Sequence, residues 1–159
     1  LPEGGFAATS PRTGDVWDWN PDTGWRQIPG SADTAPNGLE ISPDGRWLYI
    51  AGWREEKLTR LSRGGAPVQK DVVSVGFRPD NLRMSGDGTR IFAAGHGNYR
   101  TPEETSNVAV VDPETLELQR IFSHLRIDGF EASTTAVQIG NEIWLGTNRG
   151  EMIAYFPVP

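Results

Sequence analysis

The sequence predicts an all-β fold made of repeated four-stranded units, and three observations support this prediction. Segment 36–46 and segment 79–89 follow the same pattern, with 43 residues separating Asn37 from Asp80. Each copy begins with Asn or Asp, continues as an alternating strand, and turns at Asp-Gly into a second strand. No stretch of useful length shows helical periodicity. A fixed period of this size, with strand hairpins as its unit, is typical of a β-propeller.

The strands are expected in four units, separated by turns rich in Gly, Pro and Asp. Residues 1–30 form a part-blade with strands 6–10, 15–19 and 25–28. Two full blades follow, 36–76 with strands 39–42, 47–51, 57–63 and 68–75, and 79–124 with strands 82–85, 90–95, 107–112 and 117–123. A last part-blade, 130–159, holds strands 132–139, 142–146 and 151–156, and aligning its hairpin places Thr135 where Asn37 and Asp80 sit.

This strand count predicts about three to three and a half blades, which is an incomplete ring. A propeller avoids exposed strand edges by closing its ring, and three blades cannot close alone. Two copies placed tail to head would bring six strands to each junction that needs four. We therefore expect the chain, which begins at Leu1 rather than Met, to be the C-terminal half of a larger ring. Another chain, or a second copy with rearranged terminal strands, is the alternative means of completing it.

Composition and charge exclude several classes of function. The chain has 159 residues, a formal net charge of −6 and no cysteine. The acidic balance argues against a nucleic-acid partner and is compatible with a cation site. The absence of cysteine excludes disulfides, thiolate zinc sites and cysteine nucleophiles. No apolar run is long enough to span a membrane and no signal peptide is visible, so we expect a soluble protein, with its compartment unassigned.

Asn37 and Asp80 are the candidate ligands for a metal ion. They hold equivalent positions in successive blades, and the innermost strand of a propeller blade lines the central tunnel, so both should face the same tunnel mouth. Asn81 lies beside Asp80. Carboxylate and amide oxygens suit calcium, whereas zinc prefers His or Cys. The alternative interpretation is that an Asn or Asp before a strand simply caps a turn.

Residues just after each second strand should return to the same mouth. These residues are Trp53, Arg54, His96, Asn98, Thr147 and Asn148. His96 is the candidate proton carrier, because imidazole titrates near neutrality, and the alternative is a loop histidine bonded to backbone carbonyls. Trp53, Arg54, Asn98 and Asn148 are candidates for lining a substrate pocket, although an aromatic ring such as that of Trp53 can also pack between blades. His124 ends an outer strand and is assigned a structural role.

Several motifs together resemble the superfamily that contains gluconolactonase, regucalcin and paraoxonase. They are Pro-Asn-Gly-Leu at 36–39, Ser-Pro-Asp-Gly at 42–45, Leu-Tyr-Ile-Ala at 48–51, Pro-Asp-Asn-Leu at 79–82 and Ala-Gly-His-Gly at 94–97. The tail, with Phe-Glu-Ala at 130–132 and Ile-Trp-Leu-Gly-Thr at 143–147, resembles the last blade of that group. The resemblance implies a partial six-bladed ring with calcium, or another divalent cation, at the top of its tunnel.

The resemblance also implies a ligand set and an activity. Asn37, Asp80 and Asn81 match family ligands, with Asp80 at a catalytic position, whereas the family's Glu and Asn from earlier blades have no counterpart here. Two hypotheses follow. The first is a calcium-dependent hydrolase acting on a small lactone or ester, in which the metal polarises the carbonyl and a nearby base activates water. The second is a non-catalytic propeller scaffold that binds a ligand or protein, or an inactive fragment, because fold alone does not decide activity.

Overall fold

A computed structural model describes residues 14–159, in which every regular element is a β-strand. The strands are β1 (Trp17–Asn20), β2 (Gly24–Gln27), β3 (Pro36–Ile41), β4 (Trp47–Gly52), β5 (Lys57–Ser62), β6 (Lys70–Ser74), β7 (Arg78–Met84), β8 (Ile91–Gly97), β9 (Thr105–Val111), β10 (Leu118–Leu125), β11 (Ser133–Ile139), β12 (Glu142–Thr147) and β13 (Ala154–Pro157). Within this part of the chain no helix is both long and apolar enough to cross a membrane.

The strands pair antiparallel in chain order and form four separate sheets, as in propeller blades. The first blade shows β1 and β2, the second β3 to β6, the third β7 to β10, and the fourth β11 to β13. Consecutive pairing by short turns is the simplest way to satisfy every strand of such a sheet. The all-β fold with four-stranded blades is therefore confirmed, while the predicted strand 6–10 lies outside the described residues.

In both full blades, the turn between the first and second strands is held by the same hydrogen bonds. In the second blade the Ser42 hydroxyl donates to Asp44 Oδ1 at 2.6 Å, and the backbone N–H of Arg46 donates to the same oxygen. Ser85 and Asp87 repeat these contacts in the third blade. Because the side chains accept or donate bonds within the turn itself, the Ser-x-Asp-Gly pattern specifies a tight reversal wherever it occurs.

The core consists of the layers between neighbouring blades. One apolar cluster fills the space between the second and third blades and includes Tyr49, Leu58, Phe77 and Ile91. Other clusters pack the third blade against the fourth and the first against the second. Strands β4 and β8 are covered on both faces, which explains why their sequences read as nearly continuous apolar runs.

The innermost strands β3, β7 and β11 stand side by side, since β3 contacts β7 and β7 contacts β11. They begin at Pro36, Arg78 and Ser133. The first two begin earlier than the predicted starts at Leu39 and Leu82. Asn37 and Asp80 consequently lie within their strands rather than in the turns before them, and this difference shapes the candidate site.

Candidate functional site at the tunnel mouth

Each inner strand carries a β-bulge near its beginning, and the candidate ligands lie in these bulges. The register between β3 and β4 shifts between Pro36 and Leu39, and that between β7 and β8 shifts between Pro79 and Leu82. A bulge leaves residues out of the ladder and re-aims their side chains. Asn37, Asp80 and Asn81 are the residues freed in this way.

The fourth blade has its bulge at the corresponding place, one residue earlier than predicted. Ser133 pairs with Thr147, as Pro36 pairs with Gly52 in the second blade. The residue that follows, Thr134, therefore takes the place of Asn37 and Asp80, and the prediction of Thr135 is wrong. The predicted alignment was anchored on the hairpin turn, and the turn between β11 and β12 is shorter than those of the full blades.

Two glycines allow the strands that carry these residues to approach closely. A Cβ atom on Gly38 would lie 2.5 Å from the carbonyl oxygen of Asp80 and 2.6 Å from the Cα of Asn81. A Cβ atom on Gly95 would overlap the carbonyl oxygen of Arg78. Because only glycine tolerates such contacts, Gly38 holds Asn37 next to the bulge that contains Asp80 and Asn81.

Asp80 and His96 form the central polar pair of the site. Nε2 of His96 lies 3.0 Å from Oδ2 of Asp80, and the Asp80 side chain is 14% exposed. His96 is 1% exposed and lies within β8, not after it as predicted from the sequence. Its Nδ1 atom is buried and has no hydrogen-bond partner among the described residues. The ring thus faces the interior while its Nε2 fixes the carboxylate of Asp80.

The amide side chains complete the set of oxygen donors beside Asp80. Asn81 donates from Nδ2 to Asp80 Oδ1 at 3.1 Å and to the Thr134 carbonyl oxygen at 2.8 Å, which turns Nδ2 toward the protein. The side chain of Asn37 is exposed. Within residues 14–159 no three His, Cys, Asp or Glu side chains gather as a metal-binding group. One carboxylate and two amides are nevertheless the kind of oxygen donors that calcium binds.

An aromatic and cationic cluster borders this pair. The Tyr99 ring lies 5.3 Å from the His96 ring and 4.9 Å from the Trp53 ring. The guanidinium carbon of Arg78 lies 4.6 Å above Trp53 and 5.4 Å above Tyr99. The sequence predicted Trp53 at the mouth but missed Tyr99 and Arg78. Position within the hairpin could have indicated Arg78, which pairs directly with His96 across the ladder between β7 and β8.

A buried ion pair lies behind the cluster and joins the third blade to the fourth. Arg149 donates to Glu104 Oε1 at 2.6 Å, and Glu104 is fully buried. This hydrogen bond, with the charge of the carboxylate, raises the pKa of Arg149. Arg149 also pairs with Glu131 at 3.1 Å and lies 5.4 Å from the Tyr99 ring. The sequence did not predict a role for Glu104 or Arg149, because nothing local in loop 97–106 distinguishes Glu104 from an acidic side chain exposed to solvent.

The structure places the other predicted residues on loops after the second strands of the blades and, for His124, on the outer strand of the third blade. Asn98 donates from Nδ2 to the Glu103 carbonyl oxygen, so its side chain stabilises its own loop. Arg54 and Asn148 are exposed. His124 is exposed on β10 and stacks at 6.3 Å on Phe122. The pocket role of Arg54, Asn98 and Asn148 stays a prediction.

The chain is similar in fold to several solved structures. It matches a Bacteroides uniformis protein proposed to be a 6-phosphogluconolactonase, with a TM-score of 0.61 and 16% identity over 98% of this chain and 48% of that one. It matches the periplasmic gluconolactonase of Pseudomonas aeruginosa with a TM-score of 0.62 and 14% identity, over 92% of this chain and 44% of that one. It also matches hydrazine synthase of Kuenenia stuttgartiensis with a TM-score of 0.64 and 15% identity, over 91% and 40%.

These similarities concern the fold. Neither a protein-family model nor a curated protein sequence matches the chain. The identities lie well below the level at which activity can be transferred, and hydrazine synthase shows that the fold serves more than one chemistry. The chain spans less than half the length of each of these three structures.

Proposed function

We propose that this chain contributes the Asp80 side of an active site that hydrolyses a lactone or ester with the help of a divalent cation. The observation that carries the proposal is the pairing of the Asp80 carboxylate with buried His96 in a strand bulge, beside Asn37 and Asn81. Two of the solved structures with this fold are named for lactonase activity. We assign the chain to the gluconolactonase, regucalcin and paraoxonase superfamily as part of this proposal.

Three side chains would hold the cation. Asn37, Asp80 and Asn81 offer oxygen atoms from adjacent bulges, and calcium takes six to eight oxygen ligands, so blades beyond the described ones and water would supply the rest. Calcium, when bound, supplies Lewis-acid polarisation of the substrate carbonyl. The further blades of the proposed ring would lie on this protein, on another chain or on a second copy.

The Asp80–His96 pair provides the chain's own proton chemistry. Hydrolysis adds water to the carbonyl carbon and breaks the bond to the ring or ester oxygen, giving a carboxylate and an alcohol. The proton released by water passes to the pair and returns to the departing oxygen. Because His96 is buried, it acts through Asp80, whose carboxylate it orients, and Asp80 is the group that meets substrate.

Cation binding tests the metal part of the proposal. Terbium replaces calcium at oxygen-rich sites and can be excited through a nearby tryptophan. The Trp53 ring lies 6.4 Å from the His96 ring, next to the proposed site at Asp80, so Trp53 should sensitise the luminescence of bound terbium. We expect calcium-displaceable luminescence from the unmodified chain and its loss in Asp80→Asn. Asp22→Asn, in the exposed turn between β1 and β2, is the matched control and should retain the signal. Equal terbium luminescence in Asp80→Asn and the unmodified chain would contradict the proposed cation site at Asp80.

Turnover tests the catalytic part. We expect γ-butyrolactone or phenyl acetate hydrolysis, followed with a pH indicator, to stop on chelation and to resume on adding calcium. Asp80→Asn should lower the rate by at least about a hundredfold, the usual contribution of a positioned acid–base group. Circular dichroism of the variant confirms that the fold is retained. A folded Asp80→Asn variant with unchanged turnover would favour the scaffold hypothesis.

A further inference from the structure

The half-buried guanidinium of Arg78 is the strongest feature of the mouth that the hydrolase chemistry leaves unused. Its carbon atom is held 4.6 Å above the Trp53 ring and 5.4 Å above the Tyr99 ring. Contact with two aromatic rings holds the guanidinium in place and leaves N–H groups that can donate to a further partner. Arg78 is thus a positioned donor beside the candidate active site.

Among residues 14–159, Arg78 has no carboxylate partner of the kind that a half-buried arginine ordinarily has. No Asp or Glu of residues 14–159 pairs with it, although the chain carries an excess of acidic residues. Asp80, two positions along the same strand, is turned to His96 instead. Glu104 and Glu131 are both taken by Arg149. With no carboxylate of the described part of the chain beside it, the positive charge of Arg78 can meet an anion from outside.

The surroundings of Arg78 add positive charge to the same place. Arg100 lies 5.2 Å from the Tyr99 ring on which Arg78 also rests, and no carboxylate of the described residues pairs with it. Tyr99 thus contacts two guanidinium groups, next to the Asp80–His96 pair, that no carboxylate within residues 14–159 neutralises. A net charge of −6 repels anions in general, so this local cluster would select where an anionic ligand docks.

We infer that Arg78, stacked on Trp53 and Tyr99 and supported by Arg100, binds a carboxylate or phosphate group of the substrate. This inference rests on the proposed hydrolase and narrows its substrate class to anionic lactones or esters. The planar fork of Arg78 suits two parallel hydrogen bonds to such an oxyanion. Its ladder pairing with His96 places Arg78 beside the Asp80–His96 pair, where the proposed hydrolysis takes place.

Binding of an anion alone tests the subsite without requiring catalysis. Titration of ¹⁵N-labelled protein with glutarate, and separately with inorganic phosphate, should shift the Nε–H resonance of Arg78, identified by its loss in Arg78→Gln. Calorimetry should show affinity falling at least about tenfold in Arg78→Gln, as expected for a lost charge-assisted hydrogen bond. Arg78→Lys keeps the charge and should fall less. Arg83→Gln, on the same strand and exposed, should bind as the unmodified chain does.

A pair of substrates links the subsite to turnover. We expect the ratio of kcat/KM for γ-butyrolactone bearing a ring carboxylate to that for plain γ-butyrolactone to fall about tenfold in Arg78→Gln and to hold in Arg83→Gln. Equal anion affinity in Arg78→Gln and the unmodified chain, or no saturable anion binding, overturns the inference. Arg78-dependent anion binding without turnover of either lactone would contradict the proposed hydrolase activity and support the anion subsite. Turnover of both lactones with an unchanged kcat/KM ratio in Arg78→Gln would support the hydrolase activity and contradict the anion subsite.

Discussion

Single carboxylates fix the turns of the two full blades, and their charge state couples folding to pH. Hydrogen bonds from Ser42 and Arg46 hold the pKa of Asp44 well below its usual range. Hydrogen bonds from Ser85 and Thr89 lower the pKa of Asp87 to about 2. A carboxylate with a depressed pKa stabilises the fold above its ordinary pKa of 3.8 and loses that contribution as the pH falls through the folded value.

The Asp44→Asn, Asp87→Asn double variant should reveal this coupling. At pH 6 both carboxylates are ionised and hydrogen-bonded, so we expect a lower urea midpoint for the variant than for the unmodified chain. Between about pH 3.8 and pH 2 the difference should shrink, because the carboxylates of the unfolded chain bind protons in this range while those of the folded chain stay ionised. Urea titrations at pH 6 and pH 2.5 measure it, with Asp22→Asn as control. The same difference at both pH values would contradict the assignment.

Gly95 leads to a second prediction at the residue scale, because it pairs with Pro79, next to the bulge in β7 that contains Asp80. Gly95→Ala would place a methyl group against the Arg78 carbonyl, and the strands would have to separate. We expect a loss of roughly 1–3 kcal/mol in the free energy of unfolding, together with weaker terbium binding. Gly86→Ala is the matched control, since a Cβ there meets nothing within 4 Å and should change stability by less than about 0.5 kcal/mol. Unchanged stability in Gly95→Ala would contradict the close approach.

At the scale of elements, the sequence predicted the hairpins well because their signals are local. Alternating side chains and the Asp-Gly turns placed β4 and β8 within a residue or two of their observed bounds. The sequence did not predict the bulges, because a bulge depends on how closely two backbones approach. Gly38 and Gly95 permit this close approach, but a glycine in the sequence does not by itself indicate one. Asn37 and Asp80, which the sequence predicts at the entrances of the inner strands, therefore lie inside those strands, and their role as ligands stays a prediction.

The partners that surround Asp80 could not be predicted for a different reason. Tyr99 and Glu104 belong to the loop between β8 and β9, and their roles depend on contacts with Trp53 and Arg149 from other blades. Sequence periodicity reports which face of a strand is buried, and it carries no information about which side chains of different blades meet. The burial of His96 was hidden for the same reason.

The Glu104–Arg149 pair leads to a prediction about how the third and fourth blades hold together. Arg149→Met would leave the fully buried Glu104 carboxylate without its cation, and we expect a loss of about 3–5 kcal/mol. Arg26→Met is the matched control, because its pair with Asp18 is solvent-exposed at 3.9 Å and should contribute at most about 1 kcal/mol. Urea unfolding measures both. Similar losses in the two variants would show that Glu104 is not held as described.

For the whole molecule, the decisive feature is the pair of apolar faces at the two ends of the row of blades. On the fourth blade, Val137, Trp144 and Tyr155 form a cross-strand row, with Trp144 and Tyr155 stacked at 5.0 Å. Val137 and Tyr155 are exposed. On the first blade Trp19 faces Trp25 across the hairpin, and both are exposed. Equivalent faces inside the row are covered by the neighbouring blade, so these two faces fit further blades of a ring.

The chain by itself should therefore associate through these faces, since a second copy can cover them in solution. We expect native mass spectrometry at micromolar concentration to show assemblies, and Val137→Lys with Tyr155→Lys to shift them to monomer. Val72→Lys, on the exposed outer strand of the second blade, should leave the distribution of assemblies unchanged.

Adding calcium distinguishes two ways in which two copies could assemble. Retention of calcium by the assembly would mean that two copies share ligands at one mouth. A metal-free assembly would mean that the faces meet without closing the ring, and that the missing ligands lie on different blades. A wild-type chain that stays monomeric, with its tryptophan emission unaffected by the lysine substitutions, would contradict the assignment of these faces as blade interfaces.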